Sequence, residues 1–409
     1  MIFFRVFAPF AFAYFFSHLF RTVNAVMAPN LVGDLGLDAA VLGLLTSVYL
    51  LSFAAMQLPL GMLLDRFGAR RSESALLLFT AAGAAIFAIA DSVPLLILGR
   101  AFIGLGVAAG LAAAFKAYRA WLPIPRLPLV NGCHMVFGSL GALAATAPVE
   151  MALRIAHWRT IFLVMGALTL AAAAIIFFVV PEREGEPRSK GGVREQITGI
   201  LQIFTSPIFW RVAPVVVSTQ AAHIAVQTLW AGPWLKDVAG LDRAQVAHYL
   251  LLITAGMIVG FPLQGAVAER LQRFGVAVTS VMSVGFALFF AIQIPIVLGW
   301  TGALAPVWCA FGFLGCIGIL AYAELPQSFS PALSGRVITS VNVFVFVMAF
   351  IFQWGIGLVV NQWPPTAAGA YPPDAYRWAL ALVLAVEIAS FAWYFLFRPA
   401  SASPPSRGE

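Results

Sequence analysis

Tyr14, Ser17, His18 and Arg21 recur at i, i+3, i+4 and i+7 within an otherwise apolar stretch, and Asn24 lies close beside them. That spacing puts them on one face of a helix. A guanidinium, an imidazole and an amide on a shared face can hold an anion through charge-assisted, bidentate bonds, and an imidazole can exchange a proton near neutral pH. A second stripe, Gln220, His223, Gln227 and Trp230 at i, i+3, i+7 and i+10, falls in another apolar stretch and is expected to form one face as well. Arg21 and Arg100 are the deepest cations of the first half, with no Asp or Glu at comparable depth in their two stretches. An unpaired guanidinium in apolar surroundings is costly, whereas one that faces water and an incoming carboxylate is satisfied. The plainer alternatives for Arg21 are a pair with Glu150 or bonds to helix carbonyls.

The elements that carry these residues must be membrane helices. With 61% hydrophobic residues, 10% charged and a mean hydropathy of +0.93, the 409 residues have too little polar surface to cover a water-soluble body. The apolar runs reach the roughly 20 residues that a helix needs to cross a bilayer, and none shows the short alternation of a transmembrane strand. Dividing them at charged, Pro-rich and Gly-rich breaks gives twelve spans, near 7–28, 41–64, 72–90, 94–117, 128–152, 159–180, 209–234, 245–267, 276–298, 302–324, 335–360 and 374–397. Arg5 before an apolar run resembles a signal peptide, but His18, Arg21 and Asn24 interrupt the run, which reads as an uncleaved first helix.

The only long polar stretch divides the chain into residues 1–180, a linker at 181–208, residues 209–398 and a polar, Pro-rich tail at 399–409. Placing the N-terminus inside puts 17 of the 24 Lys and Arg on the cytoplasmic side. Five (Arg154, Arg159, Lys236, Arg243 and Arg377) stay outside. Both termini and the linker are then cytoplasmic, and the net charge of +7 needs no nucleic-acid partner. Cys133, Cys309 and Cys316 show no CxxC spacing, which argues against a disulfide framework or a structural zinc site.

Between the second and third spans lies Gly61-Met-Leu-Leu-Asp65-Arg66-Phe-Gly68-Ala-Arg70-Arg71, and Gly265, Glu269 and Arg270 repeat its Gly, acid and Arg 204 positions later. A repeat of about half the chain implies two copies of one bundle. This turn resembles the signature loop of the major facilitator superfamily, G-x-L-x-D-R-x-G-R-K/R. Gly61, Leu63, Asp65, Arg66, Gly68, Arg70 and Arg71 match, and Ala69 departs. Arg100, Gly104 and Gly106 match a second pattern of the family, R-x-x-x-G-x-G.

The resemblance implies an all-α membrane protein whose twelve transmembrane helices form two pseudo-symmetric six-helix bundles. These rock about a cavity lined by the first, fourth, seventh and tenth spans. It implies a monomeric secondary transporter of the inner membrane, in contact with lipid and working by alternating access, with no cofactor and no bound metal. On that reading His18, Arg21, Asn24, Gln220, His223, Gln227 and Trp230 contact a small, anionic organic substrate. Arg100, His134, Glu150 and Glu324 are proton-coupling or structural. The two turns (Gly61, Asp65, Arg66, Gly68, Arg70, Arg71, Glu269 and Arg270) latch the bundles in the outward-open state, where Gly61 and Gly68 permit close backbone approach.

Proton-coupled uptake is the leading expectation. Efflux of a drug or metabolite by proton antiport is an alternative, disfavoured because span five lacks the G-x-x-x-G-P-x-x-G-G element of many exporters. A non-transporting sensor or assembly factor is another, disfavoured because no soluble output domain is present. Asn131, Cys133, His134 and Met135 include metal-capable groups, but consecutive helix residues point about 100° apart and cannot converge on one ion. No nucleophile and base occur at usable spacing, and no Gly-rich loop with Lys suggests ATP, so an enzyme is not expected.

Overall fold

The computed structural model describes residues 2–123, 127–181, 193–330, 333–366 and 369–397. The tail, most of the polar stretch of the linker, and the side chain of Asp65 lie outside the described residues. The described residues hold twelve helices long and apolar enough to cross a membrane. Spans one to six are Phe3–Thr22, Ala39–Gln57, Arg66–Ile89, Val93–Trp121, Cys133–Leu153 and Trp158–Val179. Spans seven to twelve are Pro207–Asp237, Arg243–Arg273, Val278–Val297, Leu304–Ser328, Arg336–Val360 and Pro373–Leu396.

The first helix runs further than its apolar composition suggests. It starts at Ile2 and resumes after a break at Val23 as Asn24–Leu35, because Asn24, Asn30 and Asp34 find partners there and need not end it. Gly36 closes it in the left-handed conformation (φ 62°), its N–H donating to the Val32 carbonyl. Span two opens on an Asp38 cap, with Val41 N–H donating to Oδ1 at 2.7 Å, and span eight on a capping box between Asp242 and Gln245. Gly68 (φ 77°) breaks an otherwise continuous helical path from Ala39 to Ile89, and Gly275 (φ 84°) follows span eight. The two repeated turns thus share a glycine that no L side chain replaces without strain. Within the linker, Val193–Phe204 is itself helical and lies against span eleven, where Phe204 meets Phe344 at 5.5 Å.

In a bilayer the packing of helices depends on close contact rather than on exclusion of water. Gly83 and Gly99 supply it between spans three and four: a β-carbon on either would come within 2.8 Å of the other's carbonyl. Span two lies along span eleven, and spans five and eight meet. These pairings join the two halves of the chain. Polar contacts tie the halves together at the end away from Gly68. Arg243 reaches both Glu150 (3.4 Å) and Asn30 (2.6 Å), Asn361 donates to Asp38 (3.5 Å), and Ala39 N–H donates to the Tyr371 hydroxyl (3.2 Å). That end is closed.

Candidate substrate site between the two halves

Arg21 stands where the halves meet. Its guanidinium carbon lies 5.2 Å from the ring centre of Phe53 in span two and 5.2 Å from that of Phe346 in span eleven, so one ring comes from each half. The rings themselves touch at 4.4 Å. Stacking of this kind stabilises a cation without neutralising it. No carboxylate pairs with Arg21 among the described residues, and its Nε is buried without a partner. Glu150, the alternative partner, is taken by Arg243 and Arg154 instead. The break at Val23 turns the chain just beyond Arg21, and Asn24 is wholly buried there, donating to Thr46 Oγ1 at 2.9 Å and leaving its Oδ1 unpaired.

The rest of the first stripe turns inward within its own half. His18 lies edge-on to Tyr14 (4.7 Å) and packs with it against Gly138 of span five. Tyr14 stacks on His134 at 4.3 Å.

The second stripe does not form one face. Gln220 and His223 pack against Gly318 and Gly315 of span ten, His223 also meeting Phe311 at 5.3 Å. The backbone then widens into a π-helical turn, Val226–Trp230. An added residue per turn breaks the 3.6 period on which the single face rested. Trp230 consequently points toward spans two and eleven, where its indole N–H donates to the Gln353 carbonyl at 2.9 Å and its ring lies over Gly43. Gln353 returns a bond to Thr228 Oγ1 at 3.0 Å, and Gln227 is buried in the same turn. The π turn rests against the break after Arg21, so the elements that carry Arg21, Asn24, Gln227 and Trp230 meet there, while Gln220 and His223 pack against span ten.

Outside this region lies a cavity of about 840 Å³ whose lining includes Trp230, Asp38, Glu150, Lys236, Asp237 and Arg243. Below it the halves approach backbone to backbone. A β-carbon on Gly43 would fall 2.8 Å from the Gln353 carbonyl; on Gly232 it would overlap the Ala25 carbonyl, and on Gly357 that of Ala39. Asp237 accepts from Tyr376 (2.6 Å) and from the Tyr371 backbone (3.1 Å), which braces the loop that covers Ala39. Sequence reasoning missed this closure. Its one local signal is the Gly43 and Gly357 pair in spans that the fold sets side by side.

Arg100 is held within the first half, with its Nε and Nη2 left unpaired. It is 1% exposed, donates to the Phe20 carbonyl at the helix break (2.9 Å), and lies over Phe87 and Phe162 at 5.2 and 5.6 Å. Arg100→Gln should lower folded stability by about 2–4 kcal/mol, seen as a fall in the unfolding temperature in detergent. His134 bonds Tyr118 (2.9 Å), and Glu324 is half-buried at the end of span ten.

At the signature turn, Arg70 stacks over Phe177 and donates to the Val180 carbonyl, both within the first half. Arg66 lies over Phe67. Glu269 pairs with Arg273 one turn along the same helix, which differs from the latch expected of Glu269 and Arg270. A β-carbon at Gly61 or Gly68 would meet nothing within 4 Å, so neither mediates a close approach in this conformation.

The arrangement of twelve spans and a repeated turn has a counterpart among known families. A family model described as Major Facilitator Superfamily matches residues 10–353. The chain belongs to this superfamily. Among its relatives, the "Probable sulfoacetate transporter" of Cupriavidus necator is 24% identical over 371 residues, covering 87% of this chain and 80% of that one. The hexuronate transporter of Escherichia coli K12 is 25% identical over 345 residues, covering 80% and 77%. Among solved structures, a bacterial homologue of the human lysosomal transporter Spinster in an inward-facing, occupied conformation aligns with a TM-score of 0.78 at 18% identity over 96% of both chains. This member of the superfamily is a multi-pass membrane transporter of a small molecule and not an enzyme.

Proposed function

We propose that the transporter takes up a small organic anion, a carboxylate or sulfonate, by alternating access and with a co-transported proton. The observation that carries the anion is Arg21, a cation at the junction of the halves that lies over one ring from each half and is paired with no acid among the described residues. Two relatives whose names specify sulfoacetate and hexuronate, both organic anions, support the same class. Asn24, Gln227 and Trp230 complete the contacts, and His18, Gln220 and His223 set the shape of the two halves behind them. The charge distribution supports a cytoplasmic Gly68 end and a periplasmic closure built on Arg243. On that orientation the transporter stands closed to the outside, and the signature turns form their latch when the other end closes. The domains are residues 1–180 and 209–398.

Thermal-shift measurements on purified protein test the class directly. Galacturonate and sulfoacetate should raise the unfolding temperature in proportion to occupancy, and galactose, which lacks the carboxylate, should not. Stabilisation by galactose equal to that by galacturonate would remove the anion from the reading.

A further inference from the structure

Among the described residues three carboxylates within the spans are buried; Glu150 is paired with Arg243, Glu73 and Glu387 are not, and the stripe around Arg21 contains none of them. Glu387 of span twelve is wholly buried beside Gln293. Glu73 of span three is 1% exposed, and its Oε2 has no partner. Among the described residues no cation pairs with Glu73. A carboxyl group held this way in the bilayer is retained at a cost, and the default reading of such a group is functional.

The surroundings of Glu73 favour it over Glu387. At Gly110 in span four Glu73 and Tyr14 close on a gap too narrow for a side chain: a β-carbon there would lie 3.8 Å from Glu73 Oε1 and 3.2 Å from the Tyr14 ring. The Tyr14 ring stacks on His134 of span five at 4.3 Å and meets His18 at 4.7 Å. Tyr118 of span four bonds His134 Nδ1 at 2.9 Å, and His134 lies against the Gly110 backbone. The titratable groups facing the gap are therefore Tyr14 and His18 from span one, Tyr118 from span four and His134 from span five. Span one then continues by three residues from His18 to Arg21. One helix carries both the wall of this gap and the cation at the junction of the halves, so a change at either end is felt at the other.

We propose that Glu73, with Tyr14, His18, Tyr118 and His134 around it, is the proton-binding site of the transporter. The proton sits on Glu73 when the anion is bound, and its departure leaves a charge that the closed aromatic gap disfavours until span one moves. This rests on the proton-coupled reading above, and the experiment separates the two.

In proteoliposomes, uptake of labelled galacturonate or sulfoacetate is measured in two modes: accumulation driven by an imposed pH gradient, and exchange against preloaded probe at equal pH. The wild type should do both. Glu73→Gln should accumulate at least about tenfold less while exchanging at a near wild-type rate. Glu387→Gln should accumulate as the wild type does. Tyr118→Phe, which leaves Glu73 in place, should move the pH midpoint of uptake and keeps the test decisive where Glu73→Gln does not fold. Gradient-driven accumulation by Glu73→Gln at the wild-type level would overturn the assignment, as would loss of accumulation in Glu387→Gln alone or an unmoved midpoint in Tyr118→Phe. A wild type that exchanges the probe but ignores the gradient would instead overturn the proton-coupled reading itself.

Discussion

Arg21→Ala is expected to weaken binding of an organic anion by about a hundredfold, ~3 kcal/mol, the worth of two hydrogen bonds between charged groups. The loss should appear equally in equilibrium binding and in the concentration that half-saturates uptake. Arg21→Lys should recover only part of it, because an ammonium is a point charge that cannot make the paired bonds of a planar guanidinium. The stacked position matters to that estimate. Phe53 and Phe346, in contact with each other, pack on one side of the guanidinium and restrict it, so the side chain loses little conformational freedom on binding. A variant that folds normally and binds galacturonate as the wild type does would assign Arg21 to packing alone.

The second large effect concerns the closed end. Gly232→Val places a side chain where the Ala25 carbonyl now sits, and Gly357→Val does so at Ala39. The neighbour in each case is backbone of the opposite half, which cannot rotate aside. Overpacking of this kind typically costs about 1–3 kcal/mol, enough to shift a two-state balance by about 5- to 150-fold. Both variants should therefore populate the form with this end open, losing most of their transport while still binding the anion there. Labelling of a cysteine placed at Leu42 should accelerate in step with the loss of transport. Wild-type transport with unchanged labelling would show that the end need not close so tightly.

Much of the fold was legible in the sequence because hydrophobic length and charged breaks are local signals. The expected spans begin and end within several residues of the helices that form, with the first and the third starting earlier than expected, at Ile2 and Arg66. Arg21 was legible too, since a cation without an acid at its depth is visible in the sequence itself. The closure was not. Glu150 and Arg243 are 93 positions apart, and Asn30 and Arg243 are 213 apart, so nothing near any of them announces the contact.

The π turn hid for a different reason. Val226–Trp230 has the composition of an ordinary helix, and its widening is stabilised by Gln353 from a distant span. Reading through it in 3.6 periods put Gln220 and Trp230 on one face, where the structure separates them. Glu73 was overlooked because it follows Arg70 and Arg71 closely and reads as part of a solvated turn. Only the packing of spans one, three, four and five reveals that it has no solvent.

These features divide the work of the molecule along span one. At Tyr14 and His18 it walls the gap over Glu73, at Arg21 it meets the other half, and beyond the break it forms part of the closed end. A helical segment that touches three such places, one of them beyond its break, connects ligand, proton and closure, with each contact made to a different neighbour.

The central claim is that the charge on Arg21 selects what is carried, and paired uptake measurements in proteoliposomes test it most directly. Galacturonate and galactose differ at the carboxylate and little else. Saturable uptake of galacturonate that is lost in Arg21→Ala, with galactose neither taken up nor competing, is the result the account predicts. Uptake of galactose at a comparable rate, or uptake of galacturonate that survives the loss of Arg21, would contradict it.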